Sequence, residues 1–493
     1  MAPPLAFVGP LAIIMTVSSV SSSKINRCPL RHKSGVQRPP LVIGHRGASF
    51  HLPEHTISSY RLALEMDADF IEPDLVASKD GILVAVHSVD LNVTTNVHTF
   101  NDGEFQSRAR TSKANKGAWG YYVNDFTWDE LQKLTVRQRV KEGGARFDGY
   151  DGLFKIPSFT QIVDMLHDWN SRELPLIGRP GKVGGVPGLY VEIKSAQFFM
   201  EDGSLDMAEL FLNELSTHPK SSELLFDHVT LCDDLKHDEY RVPPLVVQSF
   251  EADVLEKLRV GFKTRWMEFV EEDELLSNGV VNATSESDDE IDHPCSCKGD
   301  PEQFWFEVNK YHIAGLGPDK KCLLPSKEVV DSGDPSAMKR ARHEAKEWVL
   351  KAHSERLAVH PWTVRIELEG NGHGGGVPSM FSSAKEELAY YFCELNVDGV
   401  FSENIGLAQT VAAEGCGDDS ASPRVQESGK VCMAHSRNAW LLGLSFLAIG
   451  IFVGSISTCF VSSYAQRKGA RSQRSMPLPE LDLDEDDDED EMI

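Results

Sequence analysis

Six side chains able to handle a charged, oxygen-rich substrate fall within Leu41–His87: His45, Arg46, Glu54, Glu72, Asp74 and His87. An imidazole titrates near neutrality, so it can take a proton or give one. An arginine presents a planar fork that donates two parallel hydrogen bonds to a phosphate or a carboxylate. Carboxylates that converge without Cys or His at ligand spacing favour a hard cation, Ca2+ or Mg2+. Glu72 and Asp74 lie two apart in Asp69–Leu75, so on a strand both project from one face. Farther along, Glu192 and Lys194 repeat that spacing, and Glu72, Asp74 and Glu192 are the predicted metal ligands. A structural ion network with Arg46 and Lys194 is the alternative use of the same acids.

These groups need elements to hold them. The apolar run Leu41–Ile43 predicts a buried strand, and Gly44 and Gly47 allow a tight turn around His45-Arg46. Apolar spacing over Glu54–Met66 predicts a helix with Pro53 ahead of it. Lys79-Asp80-Gly81 is a tight turn, and Ile82–His87 runs back as an antiparallel hairpin that returns His87 toward the carboxylates. Pro73 removes a ladder donor and predicts a bulge or strand end. Residues 88–150 lose periodicity. Helices are then expected at Pro157–Trp169, Met207–Thr217, Glu251–Val260, Ala337–His353 and Glu386–Leu395. Strands are expected at Leu189–Ile193, Leu245–Phe250, Trp266–Val270, His312–Leu316, Ala358–Val364 and Gly399–Ser402. Leaving the hairpin's return strand aside, eight strands predict an α/β TIM (β/α)8 barrel, whose function collects at the C-terminal strand ends. His45, Asp74, Glu192, Lys194 and Trp362 fall at or near such ends.

The order of motifs resembles the glycerophosphodiester phosphodiesterase family. HRG at 45–47, PEHT at 53–56 (commonly PENT), Glu-x-Asp at 72–74 and KDG…VAVH are followed by VEIKS at 191–195, VVQSF at 246–250, VHPWTVR at 359–365 and DGVFSEN at 398–404. The resemblance spans roughly residues 40–410 and implies a metal-dependent hydrolase that splits glycerophosphodiesters into an alcohol and sn-glycerol 3-phosphate. It implies that His45 and His87 are the acid–base pair, that Arg46 and Lys194 offset the phosphate's charge, and that residues 88–150 contain a small cap over the barrel mouth. Glu54 is expected to orient Arg46 rather than bind metal. Phe250 and Trp362 either wall the glycerol pocket or pack in the core. The family commonly has Asp where this chain has Ser88. Two other functions stay open: a lysophospholipase D, and a non-catalytic ectodomain that binds a ligand without turnover.

The chain has 493 residues and a net charge of −26, but ten of its acids lie in Glu480–Glu491, a tail. No basic stripe suggests nucleic acid as a partner. Leu5–Val17 and the serines after it read as a signal peptide over residues 1–23, or as an uncleaved anchor. Ala439–Ser462 carries no charge and is long enough to span a bilayer, which takes about 20 residues. Arg467, Lys468, Arg471 and Arg474 follow it, which predicts a cytoplasmic C-terminus, residues 463–493, and a catalytic domain that is extracellular or lumenal. Residues 411–437 read as a stalk. Residues 271–310 are acidic and polar, and predict a flexible insertion. Of nine cysteines only Cys459 lies in the span, so disulfides are expected without a deducible pairing. Asn92 and Asn282 open glycosylation sequons.

Overall fold

The computed structural model describes residues 12–15, 39–139, 146–173, 187–221, 245–266, 305, 313–355, 357–367 and 376–416. Within them, strands alternate with helices as in a (β/α) barrel. Strand β1 is Ala12–Met15 and β2 is Leu41–His45. The helix Ile57–Glu65 follows, capped by the Thr56 side chain, which accepts from the Ser59 amide. Next come β3 (Phe70–Glu72) and β4 (Asp74–Ala77), one strand interrupted at Pro73: β3 and β4 pair with the same neighbour in a continuous register. The return strand β5 (Leu83–Ala85) is antiparallel to β4, as the short turn requires.

Two short strands, β6 (Arg110–Thr111) and β7 (Trp119–Gly120), belong to the stretch after the hairpin, which also holds 3-10 turns, isolated bridges and the one-turn helix Trp128–Leu131. The helix Phe159–Glu173 leads to β8 (Gly188–Ile193), the helix Met207–Thr217 to β9 (Leu245–Gln248), and the helix Ala252–Trp266 comes next. Strand β10 is Ile313–Gly317, the helix Pro335–Ser354 precedes β11 (Ala358–Val359), and β12 is Gly399–Ser402. Strands β12, β2, β3/β4, β8 and β9 are parallel neighbours in that order. The ring continues from β12 through Asp398 N–H to Val359 and Phe401 N–H to Pro361, and β11 is parallel to β10. Strands β2, β8 and β9 are buried along their length, as barrel strands covered on both sides must be.

Three expectations change. Trp266 ends a helix rather than beginning the fifth barrel strand, because the helical spacing of Ala252–Trp266 continues past Val260; the remainder of that proposed strand lies outside the described residues. Residues 411–416 are not stalk. The helix Ile405–Glu414 buries Val411 and Ala412, and Cys416 is disulfide-bonded to Cys393. The helix expected at Glu386–Leu395 is an α-helix over Ala384–Ala389 that widens into a π turn at Tyr390–Leu395. The rest of the stalk, Ala439–Ser462, the C-terminal tail and the acidic insertion fall outside the described residues. No described helix is long and apolar enough to cross a membrane.

Candidate active site

The register of the barrel strands sets the site. His45 lies beside Glu72, and Asp74 beside Glu192, which lies beside Gln248. Beyond β2 the chain turns through Arg46 and Gly47, both at positive φ. Gly47 has no substitute here: a Cβ would stand 2.5 Å from the Ser59 Oγ and 2.7 Å from its backbone carbon. The turn aims Arg46 inward. Its amide donates to Glu72 Oε2 at 2.8 Å, its Nη1 to Glu54 Oε1 at 3.2 Å, and its Nε lies 3.3 Å from Asp74 Oδ2. Glu54 also receives Nε and Nη2 of Arg139 at 3.0 and 2.8 Å, so it orients arginines and stands apart from the acid cluster.

Glu72, Asp74 and Glu192 are buried and can each offer an oxygen within 4.8 Å of the others. Burial raises the Glu72 carboxyl well above its usual range, and the charges of Asp74 and Glu192 add to it. Burial alone would raise Asp74 too, but Lys194, His55 and Arg46 hold it well below the ordinary value. Three acids packed this tightly repel one another, and a divalent cation offsets that repulsion. The all-oxygen donor set fits Ca2+ or Mg2+. Around the cluster, Gln248 Nε2 donates to Glu72 Oε1 and Lys194 Nζ to Glu192 Oε1, both at 3.1 Å. His55 Nε2 lies 2.9 Å from Asp74 Oδ2, and its Nδ1 lies 2.9 Å from the Tyr60 hydroxyl. Against an ionised Asp74, Nε2 must be the donor.

His45 is buried and His87 half-buried, both in cationic surroundings. Burial, then the charge of Arg46, lowers His45 to about 4 against the pull of Glu403, whose Oε1 lies 3.2 Å from Nδ1. His87 is lowered well below its ordinary value by burial, then by Arg46, Lys194 and Arg139. Phe250 and Trp362 meet edge to face with centroids 6.0 Å apart, and Lys194 Nζ stands 5.4 Å over the Phe250 ring. They therefore stand together beside Lys194. The indole of Trp362 donates to the Gly317 carbonyl.

Sequence reasoning passed over His55, Arg139, Arg146, Gln248 and Glu403. Gln248 and Glu403 lie inside motifs that were recognised, VVQSF and DGVFSEN, and their positions just after or at a strand end were the available signal. Arg139 and Arg146 come from aperiodic chain and carried none.

The model of the glycerophosphoryl diester phosphodiesterase family matches residues 45–180. A glycerophosphodiester phosphodiesterase of Arabidopsis thaliana is 26% identical over 80% of this chain and 93% of its own length. In its family-model match and in its relatives, the chain is similar to the glycerophosphodiester phosphodiesterases. The family is one of hydrolases. Another member, from Haemophilus influenzae, is 28% identical over 47% of this chain and 60% of its own. Among solved structures, an Oleispira antarctica phosphodiesterase in complex with the product sn-glycerol-3-phosphate is 17% identical, with a TM-score of 0.41 over 76% of this chain and 97% of that one. Agrobacterium tumefaciens glycerophosphodiester phosphodiesterase is 16% identical, with a TM-score of 0.34 over 76% and 99%. At the two motif positions noted above as departing from the common residue, the side chains present are bonded: Ser88 Oγ lies 3.2 Å from His87 Nδ1, and His55 Nε2 lies 2.9 Å from Asp74 Oδ2.

Proposed function

We propose that this chain hydrolyses glycerophosphodiesters, releasing an alcohol and sn-glycerol 3-phosphate, in a reaction that requires one divalent cation. The names of the curated relatives support the substrate class. The observation that carries the reading is the packing of Glu72, Asp74 and Glu192 within 4.8 Å of one another, with Arg46 and Lys194 against them. The three acids would hold the cation, which when bound supplies positive charge for the phosphoryl oxygens. Arg46 and Lys194 add to that charge and position the phosphodiester, while Phe250 and Trp362 flank it. His45, neutral at pH 7, takes a proton from the attacking water as the new P–O bond forms. His87 gives a proton to the alkoxide as the old P–O bond breaks. The cations that depress His87 are the groups that a phosphodiester anion neutralises, so binding substrate raises its affinity for the proton it must donate.

The test is turnover of a glycerophosphodiester panel by the full-length protein, with EDTA and with Ca2+ or Mg2+ restored. Loss with EDTA and recovery with one cation is expected, and Glu72→Gln and Asp74→Asn should each lower activity by on the order of 10²-fold or more without unfolding. Near wild-type turnover by both variants in EDTA would sink the metal requirement.

A further inference from the structure

We propose that Glu403 is the positioning residue of His45, and that Arg146, from the segment that follows the hairpin, keeps it in place. The inference rests on the reading of His45 as the proton-accepting group. Strand β12 runs parallel to β2 with Ser402 opposite Gly44, so the next residue along, Glu403, falls beside His45. Its amide donates to the Val364 carbonyl at 3.2 Å, which fixes the backbone one residue past the strand.

The carboxylate divides its oxygens between two tasks. Oε1 meets His45 Nδ1 at 3.2 Å and receives Arg365 Nε at 2.9 Å. Oε2 receives Arg146 Nη2. Arg146 is itself held by Glu367 Oε1 at 2.7 Å and by the Ser49 carbonyl at 3.4 Å. Burial would protonate Glu403, but Arg146 and Arg365 keep it well below its usual range and therefore ionised. An ionised carboxylate only accepts hydrogen bonds, so Nδ1 of His45 carries the hydrogen. A neutral imidazole with Nδ1–H has its lone pair on Nε2. That is the tautomer a base requires, and when Nε2 takes a proton the same carboxylate stabilises the imidazolium.

Arg146 binds the oxygen that His45 does not use. Without it, Oε2 would be free to compete for Nδ1 or for Arg365, and the ring would lose its fixed partner. The segment that carries Arg146 is thereby part of the acid–base apparatus.

The experiment compares Glu403→Ala, Glu403→Gln, Arg146→Met and His45→Ala in the full-length protein, with glycerophosphocholine as substrate and melting temperature recorded for each. Glu403→Ala should lower kcat by on the order of 10–10²-fold with KM changed less than about threefold. Added formate, a small carboxylate able to occupy the vacated space, should restore part of that kcat, and should do nothing for His45→Ala. Glu403→Gln keeps the volume and reports the same kcat loss should the alanine variant fail to fold, while Arg146→Met should lose less. If His45→Ala is inactive but both Glu403 variants keep kcat within about twofold, the positioning role is overturned. It is also overturned if kcat falls only together with melting temperature and formate restores nothing. If His45→Ala keeps its activity, the reading of His45 fails instead.

Discussion

The Nδ1 of His45 meets a carboxylate, whereas that of His87 meets a hydroxyl. A carboxylate partner supports the positive charge a base acquires; a hydroxyl supports it less, which suits the group that starts protonated and ends neutral. The two roles should separate by leaving group. A general acid matters for an alkoxide such as choline's and little for nitrophenolate, so His87→Ala should cost on the order of 10²–10⁴-fold with glycerophosphocholine and far less with a nitrophenyl ester. His45→Ala should cost similarly with both. Equal losses for both variants on both substrates would leave the pair as phosphate-positioning groups. The pH profile gives a second check. Protonation disables a base, and lowering its pKa moves that loss to lower pH, so the acid limb of kcat/KM assigned to His45 should lie near its value of about 4. A limb near the ordinary histidine value of about 6.5, absent from His45→Ala with an activated ester, would contradict the assignment.

At the scale of elements, each first-order feature was legible where a local rule decided it. Glu72 and Asp74 share a face because strand side chains alternate, and Pro73 between them breaks the strand in two without shifting its register against β8. The start of the fifth strand was misread at Trp266, because a short apolar run such as WMEFV fits a strand or the end of a helix equally well. Partnerships were illegible for a different reason. His45 and Glu403 are 358 positions apart, and Arg139 reaches Glu54 across 85, distances no periodicity spans. The C-terminal boundary was set too early for the same reason, since a disulfide pairs Cys393 with Cys416 over 23 positions. Closing a loop of that size contributes about 3 kcal/mol in the chain-entropy account. Changing both cysteines to serine should therefore lower the melting temperature by several degrees, with kcat little changed; an unaltered melting temperature would show that the last helix is held by its buried Ile405, Ala408 and Val411 alone.

At the scale of the whole chain, the order of apolar, basic and acidic stretches and the disulfides bear on where the barrel works. We propose a lumenal or extracellular catalytic domain, a single span at Ala439–Ser462 and a cytoplasmic tail. Three observations support it. The uncharged stretch is followed at once by Arg467, Lys468, Arg471 and Arg474, and positive charge is retained on the cytoplasmic side. Cys393 and Cys416 are joined, and Cys322 is also disulfide-bonded, pairings that persist in oxidising compartments. The acids of Glu480–Glu491 lie beyond the basic cluster, where they add little to the orientation rule. Protease added to sealed microsomes should then remove a tag placed after Ile493 and leave the barrel as a protected fragment that keeps its phosphodiesterase activity once the vesicles are opened. A protected tag with a digested barrel would reverse the orientation. Digestion of both, or release of the barrel by a carbonate wash, would remove the span itself.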